Sequence, residues 1–300
     1  MERFYRFADI TFRITGKDCD MYQEDGVLAP FRVEGTEFDH SISYEVVSSL
    51  PVPEGACVFH GSRIMVFRHG DAQITCMGDT ALLPEGAHTQ IRRQGKETRV
   101  QVLRKEVPDR IKPRLVLNTL EAEHHIVGHG GFLLHSSFIR VDDKAILFTA
   151  PSGTGKSTQA ELWRKYRGAE VVNGDRTAVR VEGEKVMAYG IPYCGTSGIS
   201  KNARLPVAAI VCLSQAPENR IEALRGLRAF RNVWAGCSVN VWDKEDVARC
   251  TDTVMETIRQ VPVLHLGCTP DESAVQALEK YLREETLVQM QQAYEDRSKA

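Results

Sequence analysis

The sequence predicts an α/β domain folded around a phosphate-binding turn and preceded by a smaller β-rich domain, on three observations. The stretch AILFTAPSGTGKSTQAELW, Ala145 to Trp163, passes from an apolar run through a glycine-rich turn into a helix-like run. From Pro113 onward, strand-like and helix-like segments alternate. The first third instead holds short β-rich runs separated by Gly, Pro and Asp.

Taken in order, YRFADITFRITG, SYEVVSSL, RIMVFRHG, AQITCMG, TQIRRQG and RVQVLRKEV read as a meandering antiparallel sheet. The pattern changes at KEVPDRIKP, with the boundary near residues 105–112, which divides the chain into an accessory domain over 1–110 and an α/β domain over 111–300. PRLVLNTLEAEHHIVGH has helical spacing, with Leu115, Leu117, Leu120 and Ile126 on one side. FLLHSSFIRV and KAILFTA read as strands joined at Asp142 and Asp143. A helix from Thr158 to Tyr166 follows the turn, then strands at EVVNGD, TAVRVEG and VAAIVCLSQA. Helices follow at LRAFRNVWAG and DKEDVARCTDTVMETIRQV, a strand at PVLHLG, and a last helix from Asp271 to Arg297.

Composition narrows the function classes. Of 300 residues, 42% are hydrophobic and 26% charged, as in a soluble protein with a sizeable core. A net charge of −2 argues against a nucleic-acid footprint. No apolar run is long enough to span a bilayer, and MERFYRFADITFRITG lacks the apolar core of a signal peptide, so the expected compartment is the cytoplasm. The eight cysteines, Cys19, Cys57, Cys76, Cys194, Cys212, Cys237, Cys250 and Cys268, form no C-x-x-C pair and are expected as reduced, mostly buried thiols.

The turn carries the chemistry. A phosphate needs several donors at once, and backbone N–H groups supply them where glycine lets the chain curl and approach closely. Ser152, Gly153, Thr154, Gly155, Lys156, Ser157 and Thr158 form this cradle, with the helix N-terminus aimed at the same point. Lys156 adds a cation for the outer phosphates, and Ser157 a hydroxyl for Mg²⁺. The usual pattern opens on Gly; here that place holds Ala150.

Four other features bear on function. Asp175 follows a strand beyond the helix, where a nucleotide-binding protein of this kind holds a carboxylate for Mg²⁺, although an Asn-Gly-Asp turn would also favour it. His135 precedes Lys156 on a neighbouring strand, either as a catalytic helper or as a satisfied core histidine. His124, His125 and His129 offer a metal alternative through the i, i+4 pair, with no acidic partner at matching spacing. The stretch YGIPYCGTSGISKNARLP, Tyr189 to Pro206, reads as a long loop whose Lys201 and Arg204 would meet a phosphate or an acidic acceptor.

The segment from His135 to Asp175 resembles the catalytic domain of the HPr kinase/phosphorylase family, whose nucleotide site is similar to that of ATP-dependent phosphoenolpyruvate carboxykinase. VVNGDR, YGIPYCGTSG and LPVAAIVCLSQAPEN are similar to bacterial HPr-kinase-like proteins, some of which modify ribosomal peptides. The resemblance covers roughly residues 113–285. It implies that His135 assists catalysis, that Lys156 binds phosphate, that Ser157 and Asp175 bind the metal, and that the cofactors are ATP and Mg²⁺. The family carries an Asp-Asp pair in which one acid is the general base; this chain has Gly174-Asp175. The family's later metal-binding Glu and arginine-bearing signature have no recognisable counterpart.

The sequence is therefore read as a cytoplasmic α/β P-loop kinase of the HPr kinase/carboxykinase type with a smaller β-rich domain before it. It would move the γ-phosphoryl of ATP to a hydroxyl, by resemblance a Ser of a peptide or small protein, with His135, Lys156 and Asp175 as catalytic residues. No nucleic-acid or membrane partner is expected, and an oligomer is allowed. The alternatives are a carboxykinase-type enzyme acting on a small carboxylate and a nucleotide-binding recognition module without turnover.

Overall fold

The computed structural model describes residues 2–17, 20–21, 26–35, 37–78, 83–107 and 110–284. Contacts divide the chain into two compact units. One is Met1–His129 with Ile191–Tyr193 and Val239–Arg249; the other is Gly130–Gly190 with Cys194–Ser238 and Cys250–Ala300.

The first unit holds β1 (Glu2–Phe7), β2 (Ile10–Lys17), β3 (Asp20–Met21), β4 (Arg32–Val33), β5 (His40–Val47), β6 (Ala56–His60), β7 (Ile64–His69), β8 (Ala72–Gly78), β9 (Ala87–Gln94), β10 (Glu97–Leu103) and β11 (Arg110–Ile111). Nine strands form one sheet in the order β4-β1-β2-β5-β10-β9-β8-β7-β6, and β3 pairs with β11. The expected antiparallel meander is present from β6 to β10 and at β1–β2, whose turn places Ala8 and Asp9 at φ of 52° and 54°. It fails at β5, which lies parallel to both β2 and β10. Residue alternation fixes which face of a strand is buried but not the direction of its neighbours, and β5 is reached by a connection too long to dictate a hairpin.

The helical run after Pro113 divides into α1 (Pro113–Thr119) and α2 (Ala122–Gly128), because Glu121 takes the left-handed conformation at φ 51°. Its carboxylate accepts hydrogen bonds from Arg93 Nε and Gln73 Nε2, both at 3.0 Å. Those bonds anchor a backbone conformation that disfavours a residue with a Cβ. Of the expected apolar face, Leu120 and Ile126 are buried while Leu115 and Leu117 are half-buried; Val116 takes their place in the core.

Next to α2 lies a cluster of imidazoles. His40 and His125 lie against each other with ring centroids 3.9 Å apart and planes tilted by 42°, and all four of their ring nitrogens are buried without a hydrogen-bond partner. Burial, then the neighbouring His129, lowers the pKa of His40 to about 4, with Asp39 opposing and His124 and Lys96 adding to the shift; burial and then His40 hold His125 well below its ordinary 6.5. A folded-state pKa below the unfolded value means that the unfolded chain binds more protons on acidification. The stability these rings permit is present above pH 6.5 and is lost as pH falls toward 4. Thermal melting should therefore fall over that window, and His40→Phe should flatten the fall. An unchanged slope in the variant would show that the cluster does not titrate.

The second unit holds β12 (Gly131–Val141), β13 (Lys144–Thr149), α3 (Lys156–Arg167), β14 (Glu170–Asn173), β15 (Arg176–Glu182), β16 (Lys185–Gly190), β17 (Arg204–Gln215), β18 (Arg220–Leu224), α4 (Gly226–Trp234), β19 (Cys237–Ser238) and β20 (Val263–Cys268). Helix α5 (Lys244–Gln260) begins in the first unit. A last helix spans 272–284, and the rest of the expected terminal helix lies outside the described residues.

The strands run β13-β12-β15-β16-β17-β20-β18, with β14 and β19 also on β12 and a further pairing of β13 with β17. Two long strands make this possible. The first half of β12 pairs with β15 and its second half with β13; β17 pairs first with β16 and then with β13. Trp163 and Ala160 of α3, with Val275 and Leu278 of the last helix, cover Ile146, Phe148, Val211 and Leu264 of the sheet. The mixed α/β expectation is met in this unit.

Two expectations change here. Tyr189 and Gly190 end a strand that was not expected, and Arg204 to Pro206 begin another, so the supposed long loop shortens to 191–203. Lys201 and Arg204 are not free cations. Lys201 Nζ sits 2.7 Å from Glu170, and Arg204 pairs with Glu182 and donates to the Tyr189 hydroxyl at 3.0 Å. Carboxylates brought by strands distant in sequence neutralise both.

All described cysteines are free thiols: Cys76, Cys212 and Cys250 are buried, Cys194, Cys237 and Cys268 half-buried, and Cys57 exposed, while Cys19 lies outside the described residues. No helix among the described residues is long and apolar enough to cross a membrane.

Candidate functional site

Strand register builds the site. On one side of β12, His135 lies opposite Arg176 of β15; on the other, Ser136 lies opposite Thr149, the last residue of β13 before the glycine-rich turn. Three segments far apart in sequence thus end at one level of the sheet. Thr149 Oγ1 donates to the His135 carbonyl at 3.0 Å, and the Ser136 N–H donates to the Asp175 carbonyl at 2.9 Å. At the same level the parallel strand β17 places Cys212 beside Thr149. The turn therefore emerges at the carboxyl ends of two parallel strands, where open α/β sheets bind ligands.

The turn itself has the geometry its residues require. Gly153 and Gly155 adopt φ of 79° and 121°, conformations costly for a residue with a Cβ. A Cβ at either would meet no atom beyond its chain neighbours within 4 Å, so the loop faces open space. Ser152 and Gly153 are exposed, Thr154 and Gly155 half-exposed, and Ser157 and Thr158 present their side chains at the N-terminus of α3. Lys156 is only 8% exposed, and its ammonium donates to the carbonyls of Ala150 at 2.8 Å and Pro151 at 3.2 Å. The amine thus folds back across the loop. Burial lowers its pKa, against the attraction of Asp175.

Asp175 is freed for chemistry by its neighbour. Asn173 Oδ1 accepts the N–H groups of Asp175 at 2.9 Å and Arg176 at 3.0 Å, so Asn173 forms the Asx turn that the Asn-Gly-Asp sequence favours. The Asp175 carboxylate instead stands 3.3 Å from His135 Nε2 and 3.7 Å from Arg176 Nε. Both side chains of the His135–Asp175 pair are about one-third exposed, at 36% and 30%, which leaves them reachable from solvent. Burial is the first cause that lowers the pKa of His135 and Lys156 the second, while Asp175 opposes them. The imidazole is consequently neutral at neutral pH and able to accept a proton or orient a hydroxyl.

Gly174 has a reason of its own. A Cβ there would stand 2.2 Å from Ser197 Oγ and 2.6 Å from Ser197 Cβ. Ser197 is fixed by donating to the Cys194 carbonyl at 2.6 Å and accepting the Ile199 N–H at 3.2 Å. The 194–199 segment fills the room that an acid at this place would need. Nothing in the local sequence announces Ser197; only the fold brings it to Gly174.

The described residues of the other histidine group divide. His129 Nδ1 is 2.8 Å from the His125 carbonyl and the His125 nitrogens are buried, so the i, i+4 pair does not converge on an ion. His124 does meet carboxylates: with Asp243 and Asp246 it forms a group whose ligand atoms all lie within 4.8 Å of one another. Each is already committed. His124 sits 2.9 Å from Asp246 and 2.7 Å from Arg93 Nη1, and Asp243 accepts from Arg68 at 3.1 Å and from the first N–H groups of α5. Two guanidinium groups on this cluster make it an ion-pair network.

No family model matches the chain, and no curated protein matches it. Among solved structures it is similar to the HPr(Ser) kinase/phosphatase from Coxiella burnetii, at 15% identity over 55% of this chain and 96% of that chain, with a TM-score of 0.30.

Proposed function

We propose that the chain is an ATP- and Mg²⁺-dependent phosphotransferase that phosphorylates a hydroxyl. The observation that carries this reading is the convergence at one level of the sheet of the glycine turn with Lys156 and the His135–Asp175 pair, 3.3 Å apart. ATP supplies the γ-phosphoryl and Mg²⁺ neutralises its charge.

The chain's own residues fit both. The open space beside Gly153 and Gly155 would admit the β- and γ-phosphates to backbone N–H groups from Ser152 to Thr158, with the positive end of α3 behind them. Lys156 exchanges its two carbonyl acceptors for phosphate oxygens. The Ser157 hydroxyl and Asp175 carboxylate are hard oxygen donors of the kind Mg²⁺ takes. With Gly174 offering no second acid, Asp175 and the neutral His135 share the work of accepting the acceptor's proton. Most of the rate comes from position and charge neutralisation. The acceptor is taken to be a Ser of a peptide or small protein, as the sequence resemblance implies.

The test is ATP affinity together with slow ATP hydrolysis, each measured with and without Mg²⁺. Binding and Mg²⁺-dependent turnover are expected. Tight binding without turnover would favour the recognition module, and absence of binding would overturn the reading.

A further inference from the structure

Arg176 stands at the same level of the sheet as the His135–Asp175 pair. As cross-strand partners, His135 and Arg176 point to the same face. That face is the one α3 covers. On β12, Ser137 shares it with His135, and the partner of Ser137, Phe148, packs in one cluster with Ala160 and Trp163 of α3. The imidazole, the guanidinium and the helix that begins at Lys156 therefore lie on one side of the sheet.

The Asp175 carboxylate is bounded on three sides. One oxygen, Oδ1, stands 3.3 Å from His135 Nε2; the other, Oδ2, stands 3.7 Å from Arg176 Nε. The third side is main chain: a Cβ at Gly195 would stand 2.8 Å from both Cβ and Cγ of Asp175. At 3.7 Å the contact with Arg176 is an ion pair rather than a hydrogen bond. A carboxylate that turns to a metal gives up such a contact readily. The register of β15, and the bond from the Arg176 N–H to Asn173 Oδ1 at 3.0 Å, keep Arg176 beside the site.

The charges here do not balance. Lys156 and Arg176 stand against the single carboxylate of Asp175, because Gly174 brings no second acid. Both cations act on the imidazole: after burial, Lys156 is the largest cause that lowers the His135 pKa, and Arg176 adds to it while Asp175 opposes. An excess of fixed positive charge around a neutral base suits a phosphoryl group in transfer, whose charge spreads over its outer oxygens. Lys156 comes from the turn and Arg176 from β15, so the two approach such a group from different elements.

We propose that Arg176 is a catalytic residue of the phosphotransferase, contacting the outer oxygens of the phosphoryl group as it passes from ADP to the acceptor. This inference rests on the phosphotransferase reading. In the transfer, the bond from the γ-phosphorus to the bridging oxygen breaks and its electron pair leaves with ADP. The acceptor oxygen forms the new bond, and its proton passes to the His135–Asp175 pair. Arg176 takes no part in either bond. Its planar fork holds two of the outer oxygens together, which an ammonium or an amide cannot do.

The test uses the full chain with Mg²⁺-ADP, alone and with aluminium fluoride, whose planar anion occupies the place of the phosphoryl group in transfer. Affinities are measured by calorimetry over a series of Mg²⁺ concentrations. Aluminium fluoride should tighten the binding of Mg²⁺-ADP to the wild-type protein. Arg176→Gln should keep its affinity for Mg²⁺-ADP within about twofold and lose about 100-fold of affinity for the fluoride complex, and Arg176→Lys should lose about tenfold. Wild-type tightening in either variant, or no tightening in the wild-type protein, would overturn the inference. So would a loss shared equally by Mg²⁺-ADP alone, which would place Arg176 on the bound nucleotide. A loss that disappears as Mg²⁺ is raised would overturn it too, by making Arg176 a positioning residue for Asp175. Mg²⁺-ADP binding by the wild-type protein keeps the two readings apart. Its absence overturns the phosphotransferase reading and this inference with it, whereas failure of the inference leaves that binding intact.

Discussion

Lys156→Ala is expected to abolish phosphoryl transfer and to weaken ATP binding by roughly 10- to 100-fold, the equivalent of losing one or two hydrogen bonds to a charged group. The structure adds a second consequence. Lys156 Nζ now ties the loop to itself through the carbonyls of Ala150 and Pro151, so alanine also releases the entry to the turn. The nucleotide-free protein should lose about 1 kcal/mol of stability, readable as a lowered denaturation midpoint. Lys156→Arg keeps the charge, but its planar fork does not reproduce two carbonyl contacts made from a single nitrogen, and it should restore affinity only in part. Calorimetric titration with ATP and single-turnover transfer are the measurements. A Lys156→Ala protein with unchanged affinity and turnover would sink the nucleotide reading.

Asp175→Asn should slow transfer by roughly 10²- to 10⁴-fold, the effect of removing one well-placed acid–base group. Asparagine preserves size, and the turn should survive because Asn173, not Asp175, caps it. The loss would then belong to the charge. His135→Ala should cost less and leave ATP affinity nearly unchanged. The pH profile separates the two residues. Burial and then Lys156 place the titration of His135 below its ordinary 6.5, so transfer should be flat at neutral pH and fall only on acidification beneath that value. Asp175 is what opposes this lowering, so in Asp175→Asn the acid limb should move to still lower pH; in His135→Ala it should disappear. Gly174→Asp should reduce activity rather than restore an acid pair, because its Cβ would collide with Ser197 at 2.2 Å. Combining it with Ser197→Gly removes the collision and is the fairer test of a second carboxylate. If Asp175→Asn transfers at the wild-type rate, the catalytic carboxylate lies elsewhere.

The elements around the turn were legible because their signals are local. Two aspartates at φ of 45° and 59° close the hairpin between β12 and β13, and an apolar run, two glycines and a helix-forming stretch follow in order. The β-rich first third was legible for the same reason, through alternation over short runs. Errors arose where a distant partner decided the outcome. Glu121 breaks a helix because Arg93 and Gln73 hold its carboxylate, and Lys201 and Arg204 face glutamates rather than a ligand. Strand β5 found parallel neighbours that its own residues do not specify.

By itself the sequence determined the glycine turn and the change from short β-rich runs to alternating strands and helices; the compact units themselves divide after His129 rather than at residue 110, with Ile191–Tyr193 and Val239–Arg249 joining the first. The turn and the change of pattern follow from backbone freedom and side-chain periodicity within a few residues of one another. Only the tertiary structure decided that His135 stands beside Asp175, that Ser197 occupies the room a second acid would need, and that Asp243 and Asp246 return to His124. Those juxtapositions depend on strand register and on closing loops of tens of residues or more. They arise from the summed burial of the whole core, which no local stretch encodes.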